Sequence, residues 1–298
     1  VQASLSEHRP DVVHCIFDGT AVPLFSAACS NLDIPIVAVV HTDVTVLLAR
    51  NGLDILIPPM LNGQKLLSWF VDSLATRSRS FASKMQTEFH WTANHIIKPH
   101  VNTAVFKPGL FDAELRKELT FGDDAGFLVV YAGRLDFDKR VNEVVDIVKR
   151  TPGVYLALVG SGVLAHDLAA QHGKENRVYC KPGFVSHQQL ARYYATADLH
   201  MSASQMETLG NTVLESLATG TPVLVPRAQG FLDTVEHGQT GFLWDPDSKT
   251  DASDKLMQLR DNPDLLARMQ ATARVVGRDL SVTATVNDLR QWYGRVIM

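Results

Sequence analysis

Apolar positions in this chain fall into two alternating patterns: short continuous runs, and longer segments with helical spacing. Residues 10–17, 34–40, 126–132, 154–159, 178–185 and 198–203 read as strands. The run Ile34, Pro35, Ile36, Val37, Ala38, Val39, Val40 has the unbroken apolar character of a parallel strand covered on both faces. Residues 1–8, 21–31, 142–149, 190–197, 210–220 and 251–276 read as helices, and 282–298 as a last segment crossing back to the first domain. Strands alternating with helices predict an α/β protein built from doubly wound parallel sheets. Residues 45–85 are mixed: Leu66, Leu67, Trp69, Phe70 and Val71 precede Arg77, Arg79 and Lys84. That juxtaposition fits an amphipathic helix at a membrane surface and equally fits a packed helix with solvated basic residues. Pro99 and Pro108-Gly109 punctuate a linker within residues 96–109.

The stretch 198–226 organises the rest. It predicts a strand, a loop, a helix opening at Gly210-Asn211 and stopped by Gly220, and a second strand after Pro222. The loop leaves the carboxyl end of a strand and feeds a helix N-terminus. Backbone N–H groups there can meet ligand oxygens, and Gly210 allows a close approach. Glu207 lies in the loop and Glu215 in the second helical turn, where a carboxylate can accept two hydrogen bonds from vicinal hydroxyls such as those of a ribose. Two glutamates at this spacing also suit a solvated helix face, but their apolar neighbours and the glycine-bearing loop favour a site. A second candidate follows residues 126–132: Gly133-Arg134, then Lys139, a glycine turn with two cations that suits a diphosphate.

Composition narrows the class. With 298 residues the chain can hold two domains. An apolar content of 46% and a charged content of 20% are those of a soluble globular protein. The net charge of −4 argues against nucleic acid as the main partner. Cys15, Cys29 and Cys180 form no paired framework or metal motif, which fits a reducing compartment, and no metal or other cofactor is expected. No apolar run reaches transmembrane length, and no repeat or low-complexity tract occurs.

The residues Glu207-Thr208-Leu209-Gly210-Asn211-Thr212-Val213-Leu214-Glu215, followed by S-L-A-T-G-T-P-V, resemble the E-x₇-E signature of retaining GT-B glycosyltransferases of the large nucleotide-sugar family. G-R-L-x-x-x-K at 133–139 resembles that family's G-R-L-x-x-E-K segment, with Asp138 in place of Glu. A-Q-G-F-L-D at 228–233 resembles its A-G-G segment, with Gln229 replacing a glycine. H-V-N at 100–102 departs from its G-V-D. The resemblance implies two facing Rossmann-like domains: 1–104, acceptor-side and lacking its N-terminal portion, and 105–280, nucleotide-binding, followed by the crossing helix 281–298.

The resemblance also assigns residues. Glu215 would hold the ribose, Glu207 with the backbone of Thr208, Leu209, Gly210 and Asn211 the transferred sugar, and Gly133, Arg134 and Lys139 the diphosphate. Gly160 would lie near the nucleotide, and the backbone at Phe184 and Val185 near the base. His41, which ends the 34–40 strand, is by itself most simply a structural histidine; the resemblance makes it an acceptor-side group facing the donor sugar. Catalysis would then rest on His41, Glu207, Arg134 and Lys139. Within the family, K-P-G-F-V-S-H and the 202–230 segment look closest to the sulfoquinovosyltransferases of sulfolipid synthesis. That implies a UDP-sugar donor, a lipid acceptor such as diacylglycerol, and a cytoplasmic or plastid location, peripheral at a membrane. Glucosyl or mannosyl transfer to another lipid or sugar, and a catalytically inactive nucleotide-sugar-binding regulator, stand as alternatives.

Overall fold

The computed structural model describes residues 1–17, 21–50 and 52–298. It comprises two compact units. The first is Val1–Pro99 together with Thr283–Met298, and the second is His100–Val282.

The first unit carries a four-stranded parallel sheet in sequential order: β1 (Val13–Ile16), β2 (Ile36–Val40), β3 (Ser73–Thr76) and β4 (His95–Ile96). β2 is buried along its whole length, as its apolar run requires. β3 and β4 are strands that the hydrophobic pattern does not announce. β3 is Ser-Leu-Ala-Thr, and both its polar ends are buried. They are tolerated because each has a partner. The Trp292 Nε1–H donates to Ser73 Oγ at 2.9 Å, and Thr76 Oγ1 donates to the Val40 carbonyl at 3.3 Å. Trp292 belongs to the helix Val282–Ile297, which packs on this sheet against Val37, Val39, Ala75 and Ile97. The same helix places Tyr293 Oη 2.6 Å from His14 Nδ1 and Asp288 Oδ2 3.0 Å from His95 Nε2.

The basic residues grouped together in the sequence separate here. Lys84 forms an ion pair at 2.6 Å with buried Asp43, whose other oxygen accepts from the Thr45 backbone N–H at 3.1 Å and caps the helix Val44–Arg50. Arg77, just past β3, is half-buried. The helix Ile57–Ser68 lies largely in solvent, and among the described residues no helix is long and apolar enough to cross a membrane.

The second unit carries six parallel strands: β5 (Phe127–Ala132), β6 (Val154–Gly160), β7 (Val178–Pro182), β8 (Leu199–Met201), β9 (Val223–Pro226) and β10 (Gly241–Trp244). Their order is β10-β9-β8-β5-β6-β7, so the chain winds outward from β5 in one direction and then from β8 in the other. Helices cover both faces over two apolar cores, one around Val129, Leu156 and Leu158 and one around Leu128, Val130 and Tyr194. The helix Val141–Arg150 buries Val141, Val144, Val145, Ile147 and Val148 on the first face. The reversal of winding places a topological switch point between β5 and β8, and a crevice at the carboxyl ends of such neighbouring strands is where open α/β sheets bind ligands.

Candidate active site

Both sequence candidates of the second unit lie at this switch point. β5 ends at Ala132 and continues into Gly133-Arg134; β8 ends at Met201 and continues into the loop containing Glu207. The two loops meet through an ion pair between Lys139 Nζ and Glu207 Oε1, both half-buried. Residues 68 positions apart are thereby joined by opposite charges partly withdrawn from water.

The Glu207 loop is locked from behind. The Gly230 N–H donates to the Glu207 carbonyl at 2.8 Å. Gly210 adopts φ 82°, and a Cβ there would stand 2.6 Å from Phe231 Cε1. Only glycine fits both the left-handed backbone and the contact. Gly210 is the N-cap of the helix Asn211–Thr219, and no side chain caps it. The N-cap thus offers no side-chain acceptor to the first-turn N–H groups, which suits anionic or hydroxyl oxygens of a ligand. Gly220, at φ 87°, ends the helix.

Glu215 lies in the second turn of this helix, and burial pushes its carboxyl up to about 7 against the opposing effect of a hydrogen bond from Tyr194. The Tyr194 hydroxyl reaches Glu215 Oε2 at 3.4 Å. Behind Tyr194 stands His200, wholly buried, with its ring edge-on to the tyrosine at 5.3 Å. His200 Nδ1 lies 3.1 Å from the Val130 carbonyl, and burial pushes the imidazole down to about 4, so it is neutral. Pattern reading missed both residues. Their signal, a tyrosine and a histidine among apolar residues, is indistinguishable from ordinary core until the helix and strand are brought together.

Arg134 is mostly exposed, and its guanidinium is held by two carboxylates, Asp136 and, at 2.7 Å, Asp138. The Arg134 carbonyl accepts from buried Tyr131 at 2.7 Å. The phenol is raised by burial first and then by the charges of Glu207 and Asp138, so it is a neutral donor. Gly160 has a packing role: a Cβ there would collide with the Gly133 carbonyl oxygen, which fixes the close approach of the two turns. Phe184 projects into solvent at 88% exposure beyond β7, with Val185 half-buried beside it. Gln229 has φ 39°, a left-handed conformation, where the resembling pattern has glycine.

His41 lies in the first unit, directly after β2, and lines a cavity there with Ile16, Phe17 and Gln64. Burial, Arg77 and His14 all lower its pKa, so the ring is neutral near pH 7. Among the described residues, no group of three or more His, Cys, Asp or Glu side chains is arranged to hold a metal ion.

Two parallel-sheet α/β units, one with a charged loop pair at its switch point, define a protein of the GT-B class. Anabaena HepE in complex with UDP superposes with a TM-score of 0.82 at 18% identity, covering 99% of this chain and 82% of that one, a likeness of fold. Residues 111–276 match the family described as glycosyl transferases group 1, and the chain belongs to that family. Its relatives include the sulfoquinovosyl transferase SQD2 of Arabidopsis thaliana, 28% identical over 262 residues that cover 86% of this chain and 51% of the relative. They also include the GDP-mannose-dependent alpha-mannosyltransferase of Corynebacterium glutamicum, 27% identical over 256 residues, or 82% of this chain and 58% of the relative. The chain therefore spans about half the length of the curated relatives it matches.

Proposed function

We propose that this protein transfers a hexose, with retention of configuration, from a UDP-sugar to a lipid acceptor, with UDP-sulfoquinovose as donor and diacylglycerol as acceptor. The observation that carries the reading is the convergence at one switch point of the Lys139–Glu207 pair, the uncapped helix N-terminus at Gly210 and the buried carboxyl of Glu215. In this reading Glu215 accepts the two ribose hydroxyls. Glu207 and the backbone from Thr208 to Asn211 hold the sugar. Lys139 and Arg134, each exchanging a carboxylate partner for phosphate oxygens, offset the charge that develops on the departing diphosphate. The acceptor hydroxyl attacks from the face the leaving group departs, with neutral His41 as its polar contact. Family membership supports the reaction class, and the sulfoquinovosyl transferase relative supports the choice of sugar.

The lipid assignment extends to peripheral contact with a membrane. It is supported by apolar side chains left in solvent on the first unit, Ile55 at 84%, Trp69 at 73% and Phe70 at 56%, alongside exposed Lys65. A GDP-mannose donor is the second reading, favoured by the mannosyltransferase relative.

Thermal unfolding with UDP, GDP, UDP-glucose and UDP-sulfoquinovose tests the donor assignment. A ligand at about a hundred times its dissociation constant adds about 2.7 kcal/mol. Stabilisation by the UDP species and its loss in Glu215→Ala are expected. Stabilisation by GDP alone would transfer the assignment to the mannosyl reading, and no shift with any nucleotide would remove the donor site.

A further inference from the structure

A carboxyl that is to accept both hydroxyls of a vicinal diol must be ionised, yet Glu215 sits where ionisation is disfavoured. Its side chain is partly withdrawn from water, and among the described residues no cation pairs with it. One hydrogen bond alone supports the charged form, from the Tyr194 hydroxyl to Oε2 at 3.4 Å. That contact has room to tighten as the carboxyl ionises, since charge-assisted O–H···O bonds run at about 2.5–2.7 Å.

Tyr194 is itself fixed from three sides. It is fully buried on the helix His187–Thr196, and its carbonyl accepts from Thr221 Oγ1 at 2.7 Å. Its ring lies edge-on to His200 at 5.3 Å and tilted to Phe106 at 6.3 Å. His200 is anchored in turn, its Nδ1–H donating to the Val130 carbonyl. Burial, and then the neighbouring Glu215 charge, raise the phenol well above its ordinary value, so it stays a donor wherever the carboxyl titrates. The other charged groups around this helix are engaged or distant. Arg192 is committed to Asp112, Glu207 to Lys139, Asp233 is in solvent, and Arg274 lies against Gly220 at the helix's far end. His200 and Tyr131 are both neutral.

We propose that Tyr194 is the positioning residue of the ribose site: its hydroxyl donates to Glu215 Oε2, holding the carboxylate ionised with Oε1 left for the diol. The phenol replaces the cation that a carboxylate in such a place ordinarily requires, and leaves the charge of the site to the diphosphate end. This rests on the ribose assignment of Glu215 made above and adds the residue that sets its charge and its orientation.

The test is calorimetric titration of UDP, and of 2′,3′-dideoxy-UDP, into wild type, Tyr194→Phe and Glu215→Gln between pH 6 and 9. Ratios between proteins at one pH cancel the titration of the nucleotide itself. Wild-type affinity for UDP is expected to rise with pH through a midpoint near 7. In Tyr194→Phe that midpoint should move up by about one pH unit, leaving UDP about fivefold weaker at pH 7 and within about twofold at pH 9. The dideoxy nucleotide, which has no diol, should bind wild type and Tyr194→Phe equally at every pH. Site-specific 3-fluorotyrosine at 194, a stronger donor of nearly the same shape, should move the midpoint down. It keeps the test if Tyr194→Phe loses the wild-type unfolding temperature.

A loss of affinity by the same factor at every pH, shared by the dideoxy nucleotide, would make Tyr194 a packing residue and overturn the proposal. So would an unmoved midpoint in both variants while Glu215→Gln flattens the profile, and the ribose assignment would then survive. UDP binding that neither follows pH nor weakens in Glu215→Gln would sink the ribose assignment and this inference together. No binding of UDP by the wild type would sink the donor site as well.

Discussion

The two units solve the same architectural problem with different materials. The second builds its sheet from strands that are apolar along their length, such as β5 and β9, and gathers its charges into loops beyond the strand ends. The first uses short strands, buries the serine and threonine of β3, and satisfies them with partners distant in sequence. It also leaves Ile55, Trp69 and Phe70 in solvent. Regular packing in one unit leaves loop chemistry as its variable; irregular packing in the other leaves an apolar cavity and an apolar surface.

The largest expected effect breaks the first unit and spares the second. Trp292→Ala removes a fully buried ring and orphans the Ser73 hydroxyl, and should cost about 3–5 kcal/mol. Unfolding followed by hydrogen exchange should show β2 and β3 losing protection while β5 and β6 keep theirs; uniform loss would mean that the units do not unfold separately. Next, Glu207→Ala should reduce turnover of a UDP-sugar by about 10²–10³-fold, since it deletes the sugar-side carboxylate and leaves Lys139 without its counter-charge. Turnover absent from the wild type as well as the variant would favour a nucleotide-sugar-binding regulator over an enzyme.

Glu215 gives a pH test of the second unit. Its native carboxyl keeps a proton up to about 7, whereas an unfolded glutamate releases it near its ordinary value of 4.5. Between those values the native state binds more protons, so this group's contribution to stability falls as pH rises. Glu215→Gln should therefore stabilise the ligand-free protein by about 2 kcal/mol at pH 8, with the gain vanishing toward pH 4.5. UDP affinity in the wild type should show the opposite sense, weakening as pH falls through 7, because only the ionised carboxylate accepts both ribose hydroxyls. A flat difference in stability between wild type and Glu215→Gln from pH 5 to 8 would show that the carboxyl is not desolvated. The smallest effect is at Gln229. Replacing it with glycine relieves the left-handed strain at φ 39° and should add about 0.5–1 kcal/mol, measured by urea unfolding.

What the hydrophobic pattern reveals follows the same contrast. The helix Asn211–Thr219 is legible because its boundaries are local: Gly210 and Gly220 both take positive φ, and the apolar spacing between them is helical. β3 is not legible because what makes Ser73 acceptable inside a sheet is an indole from another part of the chain. The role of Lys84 is hidden for a similar reason, since it pairs with Asp43, 41 positions earlier. At the candidate site, the glutamates and the G-R-L-x-x-x-K segment are visible as a motif. The carboxylates that hold Arg134 and the tyrosine against Glu215 depend on folded geometry, which no spacing rule supplies.

The tie between Ser73 and Trp292 spans 219 positions, and it sets an order of events during synthesis. At about 5–20 residues per second a ribosome takes roughly 10–40 s to cover that distance. Throughout that interval β3 lacks the indole that satisfies its serine, and every strand of the second unit is translated before the interval ends. The usual precedence of amino-terminal domains is thereby inverted: the second unit can complete its sheet first, and the first lacks its covering helix until Val282–Ile297 emerges.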